Sequence, residues 1–194
     1  MVPMSPSVDR VTSVLKSASF DVLLSIEHRQ KGKQRDEFSL HILGGKKEPG
    51  ETVRQTAVRE FWEETSELLR LSECDAMLAP EAQPIYIESG KYSLFVTPAS
   101  DRVQALPDRF TPNREVHRLV WISLDSLLHG VRERVPLTLP RGVVVAGETE
   151  GEGEGEETVL KTSRFLATVM WHKGTEPTVR QVAQGIDETP DTTE

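Results

Sequence analysis

The chain has 194 residues, 37% of them hydrophobic and 28% charged, with a net charge of −8 and a pI near 5.2. That balance predicts one globular domain and argues against general binding to nucleic acid, because sequence-independent binding relies on a basic surface that displaces counterions from phosphates. No apolar run approaches the roughly 18 residues of a membrane span, the opening Met1-Val-Pro-Met-Ser-Pro6 lacks a signal-peptide core, and Cys74 stands alone, so a cytoplasmic, reducing compartment without membrane association is expected.

Strand-like runs lie near residues 11–15 and 20–27, the second rich in Val and Leu. A basic stretch follows, with His28, Arg29, Lys31, Lys33 and Arg35, and a third strand is expected over 38–43. Arg29, at the edge of a strand, and Lys46, beside the Gly44-Gly45 turn, are the better candidates in this region for holding phosphate. Val53, Ala57 and Phe61, four residues apart after a Pro49-Gly50 turn, predict an amphipathic helix with Glu51 near its positive N-terminal end. At about 100° per residue, Val53, Ala57, Glu60 and Glu64 share a sector about 60° wide, so the apolar stripe becomes a carboxylate stripe in the last turn. Ionised carboxylates brought together and partly buried cost several kcal/mol unless a cation neutralises them, which points to a metal.

Past a connection over 74–84, Ile85-Tyr-Ile87 and Tyr92 to Val96 flank Glu88-Ser-Gly-Lys91 and read as a hairpin. Residues 101–113 carry Pro107 and Pro112 and are expected to form an irregular loop over a site. A strand over 116–122 follows, with Ser123 placed to cap a helix running through Leu128. Gly147 to Glu157 is acidic, interleaved with glycine and has nothing to bury, so a mobile insertion is expected there. Val159, Leu160, Phe165, Leu166, Val169 and Met170 predict an amphipathic helix ending near Gly174, which returns the chain to the core. The domain is thus expected over residues 8–174, with a polar tail of little fixed structure over 175–194. Tyr86, Tyr92, Phe95 and Phe110 offer stacking surfaces, although core packing is the commoner task of such rings.

Gly45, Glu51, Arg59, Glu60, Phe61, Glu63 and Glu64 fall in register with the signature of the Nudix hydrolases, which the segment from Gly45 to Glu67 resembles. Two positions depart: Ser66 stands where the family has glycine, and Glu67 where it has an aliphatic residue. The first bears on the exit of the helix, where glycine would suit a left-handed cap, and Leu68 is expected to supply the missing apolar contact. The resemblance implies an α/β fold, an α/β/α sandwich with a mixed sheet and the box helix at its centre. It also implies that Glu60, Glu63 and Glu64 hold a divalent ion together with the Gly45 carbonyl. All-oxygen ligands favour Mg²⁺, with Mn²⁺ as a substitute. Arg59 would orient these carboxylates, with Glu51 supporting it, and the base would be Glu60 or a loop glutamate, of which Glu115 is the first candidate.

The implied activity is Mg²⁺-dependent hydrolysis of a diphosphate linkage in a nucleoside diphosphate joined to another group, with a small nucleotide as partner and a homodimer as an open arrangement. The alternatives are a pyrophosphohydrolase acting on capped or triphosphorylated RNA 5′ ends, which the acidic composition disfavours, and a nucleotide-binding module without turnover, which would be expected to lose the glutamates retained here.

Overall fold

The computed structural model describes residues 13–16, 21–31, 34–139 and 159–183; the acidic stretch from Gly147 to Glu157 lies outside them. The strands are β1 (Ser13–Lys16), β2 (Asp21–Lys31) and β3 (Gln34–His41), followed by helices α1 (Val53–Glu64) and α2 (Leu71–Met77). A hairpin of β4 (Ile85–Ile87) and β5 (Tyr92–Leu94) encloses Glu88–Gly90, with Lys91 in the left-handed region at φ 54°. Then come β6 (Val96–Pro98), the short helices α3 (Asp101–Gln104) and α4 (Leu106–Arg109), β7 (Val116–Ser123), α5 (Leu124–Glu133), β8 (Leu137–Thr138), β9 (Val159–Thr162), α6 (Arg164–Trp171) and α7 (Thr175–Ala183).

Strand β2 organises the main sheet. One of its edges takes β1 opposite Asp21 to Leu23 and then β3 from Ser25 onward, while β7 lines the other from Asp21 to Glu27. These pairings are antiparallel, whereas β6 on β1 and β9 on β3 are parallel, so the seven-stranded sheet is mixed. Alternation along the strands sends residues to opposite faces. Val22, Leu24, Ile26, Leu40 and Ile42 pack with α5, α6 and Val179 of α7, while Leu23 and Leu43 pack with Ala57, Val58 and Phe61 of α1. The sheet therefore lies between helices on both faces, as the α/β/α expectation required.

Helix α1 starts at Thr52, whose side chain accepts the Gln55 N–H while Gln55 accepts the Thr52 N–H, a reciprocal cap. Arg54 joins it to α2, donating to Asp75 and to the carbonyls of Asp75, Leu78 and Ala79 at the end of that helix. Ser123 caps α5 as predicted, its hydroxyl accepting the Ser126 N–H. Cys74 is buried, and burial pushes its thiol up to about 11, so it stays neutral and packs as a small apolar group.

Three expectations are corrected. The stretch over 101–113 is not wholly irregular: α3 and α4 form because Val103 and Leu106, three residues apart, are both fully buried against the α1 core. The helix expected from Val159 begins at Arg164, since Val159–Thr162 adds a strand to β3 and Ser163 caps the helix that follows. Thr175–Ala183, expected within a tail, is a helix whose Val179 is buried in the core and whose Pro177 falls in the first turn, where proline is tolerated.

Candidate active site

The last turn of α1 meets the Gly44-Gly45 turn that follows β3. Gly44 has φ 141°, outside the range side-chain-bearing residues favour, and its N–H donates to Glu64 Oε2 at 2.7 Å. Gly45 leaves room for a second carboxylate, since a Cβ there would collide with the carboxyl end of Glu60. Glu64 is only 7% exposed, and this burial raises its pKa well above the ordinary glutamate value; the Gly44 N–H opposes the shift, and the charges of Glu27, Glu60 and Glu115 add to it. Burial also raises Glu60, against the pull of Arg59, and Glu63 and Glu115 reinforce the rise.

Arg59 ties the opposite flank together. Its guanidinium donates to both oxygens of Glu51 at 2.7 and 3.1 Å, to Glu60 at 2.8 Å, to Glu63 at 3.1 Å and to the Lys46 carbonyl at 3.0 Å. The Arg59 bonds, helped by the Glu48 N–H, hold the Glu51 carboxyl down at about 2, and the same contacts keep Arg59 firmly protonated. Glu51 therefore anchors the arginine, and the arginine fixes Glu60.

Of the expected set, Glu60 and Glu64 both reach the Gly44-Gly45 turn, Glu64 as acceptor of the Gly44 N–H and Glu60 against Gly45. Consecutive helical residues stand about 100° apart, so Glu63 turns away from Glu64 and its carboxylate, 48% exposed, rests on Arg59. Among the described residues no three acidic, histidine or cysteine side chains converge into a group that could hold a metal ion as they stand. The charge of Arg59 is what now compensates Glu60 and Glu63. Lys46 is exposed beside the turn, and Arg29 is placed by its backbone in β2, opposite Glu37.

Glu115 is exposed, but its backbone is fixed to the end of α1. Asn113 Oδ1 accepts the N–H groups of Glu115 and Val116 at 3.0 and 2.7 Å, while Nδ2 approaches the carbonyls of Glu63 and Glu64, each at 3.4 Å, and Ser66 Oγ at 3.2 Å. Ser66 takes the left-handed conformation that glycine would suit, at φ 55°, followed by Glu67 at 58°. Its hydroxyl donates to the Thr111 carbonyl at 3.0 Å, so the departure from glycine adds a bond to the Glu115 loop. Leu68 is partly buried as expected, with Leu69 packing deeper.

Sequence reasoning missed Asn113, although an Asn two residues before a glutamate and a strand is the signal of an Asx turn. It also missed Glu27 and His41. Their signal is polar residues at alternate positions, Ser25 and Glu27 in β2 and Ser39 and His41 in β3, where the opposite face of the same strands carries Val22, Leu24, Ile26, Phe38 and Leu40. Among the aromatic candidates, Tyr92 and Phe95 are buried, Tyr92 with its ring 4.4 Å from that of Phe165, while Tyr86 is exposed. Phe110 is partly buried and helps line a cavity of about 450 Å³ with Pro107, Asp108, Pro112, His117 and Arg118, flanking the Glu115 loop.

Compared with known families, residues 9–142 match the model of the NUDIX domain. The chain belongs to the Nudix family. It is therefore a hydrolase of the Nudix type, from a family that acts on small nucleoside diphosphate derivatives and generally uses divalent metal ions such as Mg²⁺. Solved structures similar to it include a NUDIX hydrolase from Nitrosomonas europaea, at 22% identity over 62% of this chain and 74% of that one with a TM-score of 0.34. Another is the E. coli ORF135 protein, at 19% identity over 62% of this chain and 77% of that one with a TM-score of 0.30. At such TM-scores the two likenesses carry no weight in the assignment, which rests on the domain match. No curated protein matches significantly. Among the described residues no helix is long and apolar enough to cross a membrane.

Proposed function

We propose that this Nudix protein is a Mg²⁺-dependent pyrophosphohydrolase that cleaves the diphosphate linkage of a nucleoside diphosphate joined to another moiety. The observation that carries the reading is Glu64, a deeply buried carboxyl group that accepts a backbone N–H and lies in the field of Glu27, Glu60 and Glu115. A buried carboxylate in the field of other carboxylates is stable in ionised form only beside a cation, and an all-oxygen donor set suits a hard one. The residues present therefore fit Mg²⁺ or Mn²⁺. Glu60, Glu64 and the Gly45 carbonyl would hold it, with Glu63 joining by leaving Arg59. When bound, the ion supplies positive charge that offsets charge on the leaving phosphate and makes water easier to deprotonate.

The other roles fall to the chain itself. Glu51 and Arg59 keep the Glu60 carboxylate aimed at Gly45. Either Glu60, whose pKa is raised toward the working range of a general base, or Glu115 on its pinned loop would take the proton of the attacking water. Lys46 and Arg29 are the proposed phosphate contacts. The cavity lined by Phe110 and His117 would receive the nucleoside or the moiety joined to it.

The test is turnover over a panel of ADP-ribose, nucleotide sugars, dinucleoside polyphosphates, nucleoside triphosphates and capped RNA. Glu64→Gln is expected to keep the fold by circular dichroism and to lose at least about 10²-fold in turnover, more than the loss typical of residues one shell further out. EDTA should abolish activity and Mg²⁺ restore it. Turnover that survives both the substitution and chelation would remove the reading, and capped RNA as the preferred substrate would move it to RNA ends.

A further inference from the structure

Helix α6 leaves one of its faces uncovered. Arg164, Ala167, Thr168 and Trp171 recur at helical spacing and line a cavity of about 500 Å³ on the side of the sheet away from α1, together with Lys161 of β9 and Arg134 from the end of α5. Ala167 and Thr168 are short and form a floor between Arg164 and Trp171, which stand about 10 Å apart along the helix. Trp171 is 61% exposed, and Val135, which borders the same cavity, is 42% exposed. An uncovered indole beside a second apolar side chain in a concavity is surface that a ligand can cover.

The other end of the groove is cationic and not neutralised. Lys161 lies just before the α6 cap, and the pairing of Leu137 with Leu160 brings the segment from Arg134 alongside it. Nearby cations are taken, Arg132 by Glu176 and Arg180 by Asp125 and Glu176. Arg134, Lys161 and Arg164 are exposed and have no carboxylate partner among the described residues, and no described acidic residue lines the cavity. In a chain of net charge −8, three unpaired cations at one concavity make a local field that attracts an anion. The indole at the far end suits a flat heterocycle that stacks on it. An anion joined to a flat ring across one short groove describes a nucleotide, whereas an acidic peptide would use the cations and leave the indole unmatched.

We propose that this groove is a second nucleotide site, taking a nucleoside polyphosphate with its base on Trp171 and its phosphates on Arg134, Lys161 and Arg164. It lies on the opposite face of the sheet from Glu60 and Glu64 and does not depend on the metal-dependent reading above. Binding is read in the full chain, in EDTA so that metal-dependent turnover does not intervene, from the indole N–H resonance of Trp171, assigned by its loss in Trp171→Phe. Millimolar ADP should shift that resonance saturably. Lys161→Glu and Arg164→Glu, with melting checked against wild type, should each weaken ADP binding about tenfold or more, the worth of a charge-assisted phosphate contact. Adenosine and inorganic pyrophosphate, each offering one half of the ligand, should bind at least about tenfold more weakly than ADP. No saturable shift, variants that titrate like wild type, or pyrophosphate binding as tightly as ADP would overturn the inference. So would a peptide copying Gly147 to Glu157 that binds more tightly than ADP, which would assign the groove to an acidic segment.

Discussion

The two faces of the central sheet are built to different rules. Against α5 and α6 the sheet presents Val22, Leu24, Ile26, Leu40, Ile42, Val120 and Ile122, each at most 4% exposed, an apolar layer whose contribution is burial. Against α1 the apolar layer stops partway and gives over to Ser25, Glu27, Ser39, His41 and the end of α1 with Glu60 and Glu64. The first face holds the fold together. The second gives up stability for a set of acidic groups whose pKa values are raised by burial and mutual repulsion. The contrast teaches that substitutions on the two faces should separate stability from chemistry.

The largest stability effect should come from the apolar face. Leu127→Ala in α5 removes a fully buried side chain and should cost about 2–5 kcal/mol, lowering the melting temperature by roughly 2–4 °C per kcal/mol, with turnover per folded molecule unchanged. A parallel loss of turnover would break the separation. Gly45→Ala should do the reverse. The atoms nearest the added methyl are the end of the Glu60 side chain, which can yield, so melting should move little while turnover falls by about 10²-fold through misplacement of that carboxylate.

Acid titration sharpens the comparison within the second face. The Glu51 carboxyl is held at about 2 against an ordinary 4.5, so its contribution to stability is complete above 4.5 and is lost as pH falls toward 2. Glu64 acts with opposite sign: its raised pKa favours the folded state below 4.5, and this contribution is lost as pH rises through the folded value in metal-free protein. In EDTA, Glu51→Gln should therefore flatten the acid limb of a stability–pH profile, and Glu64→Gln the upper limb. The smallest effect is expected for Ser66→Ala, which keeps the left-handed backbone and removes the bonds to Thr111 and Asn113. It should destabilise by about 0.5–1.5 kcal/mol, read by urea denaturation.

The box helix, its glycine turn and the contact of Arg59 with neighbouring carboxylates were legible because they lie within one short stretch, where spacing along the chain fixes position in space. The hairpin around Lys91 and the Ser123 cap were legible for the same reason. Val159–Thr162 and Thr175–Ala183 were not, because neither element is decided locally: the first becomes a strand by pairing with β3, and the second becomes a helix by burying Val179.

By itself, the sequence determined the family signature and the carboxylate-bearing helix, which follow from periodicity and close spacing, while the two-sided sheet came only as what the resemblance implies. Only the tertiary structure decided which acids gather. It turned Glu63 out onto Arg59, bound the Glu115 loop to α1 through Asn113, and paired Glu27 of β2 with His41 of β3. Asn113 and Glu27 reach partners that are not neighbours along the chain, and their meeting depends on strand register and helix packing, which no local pattern encodes.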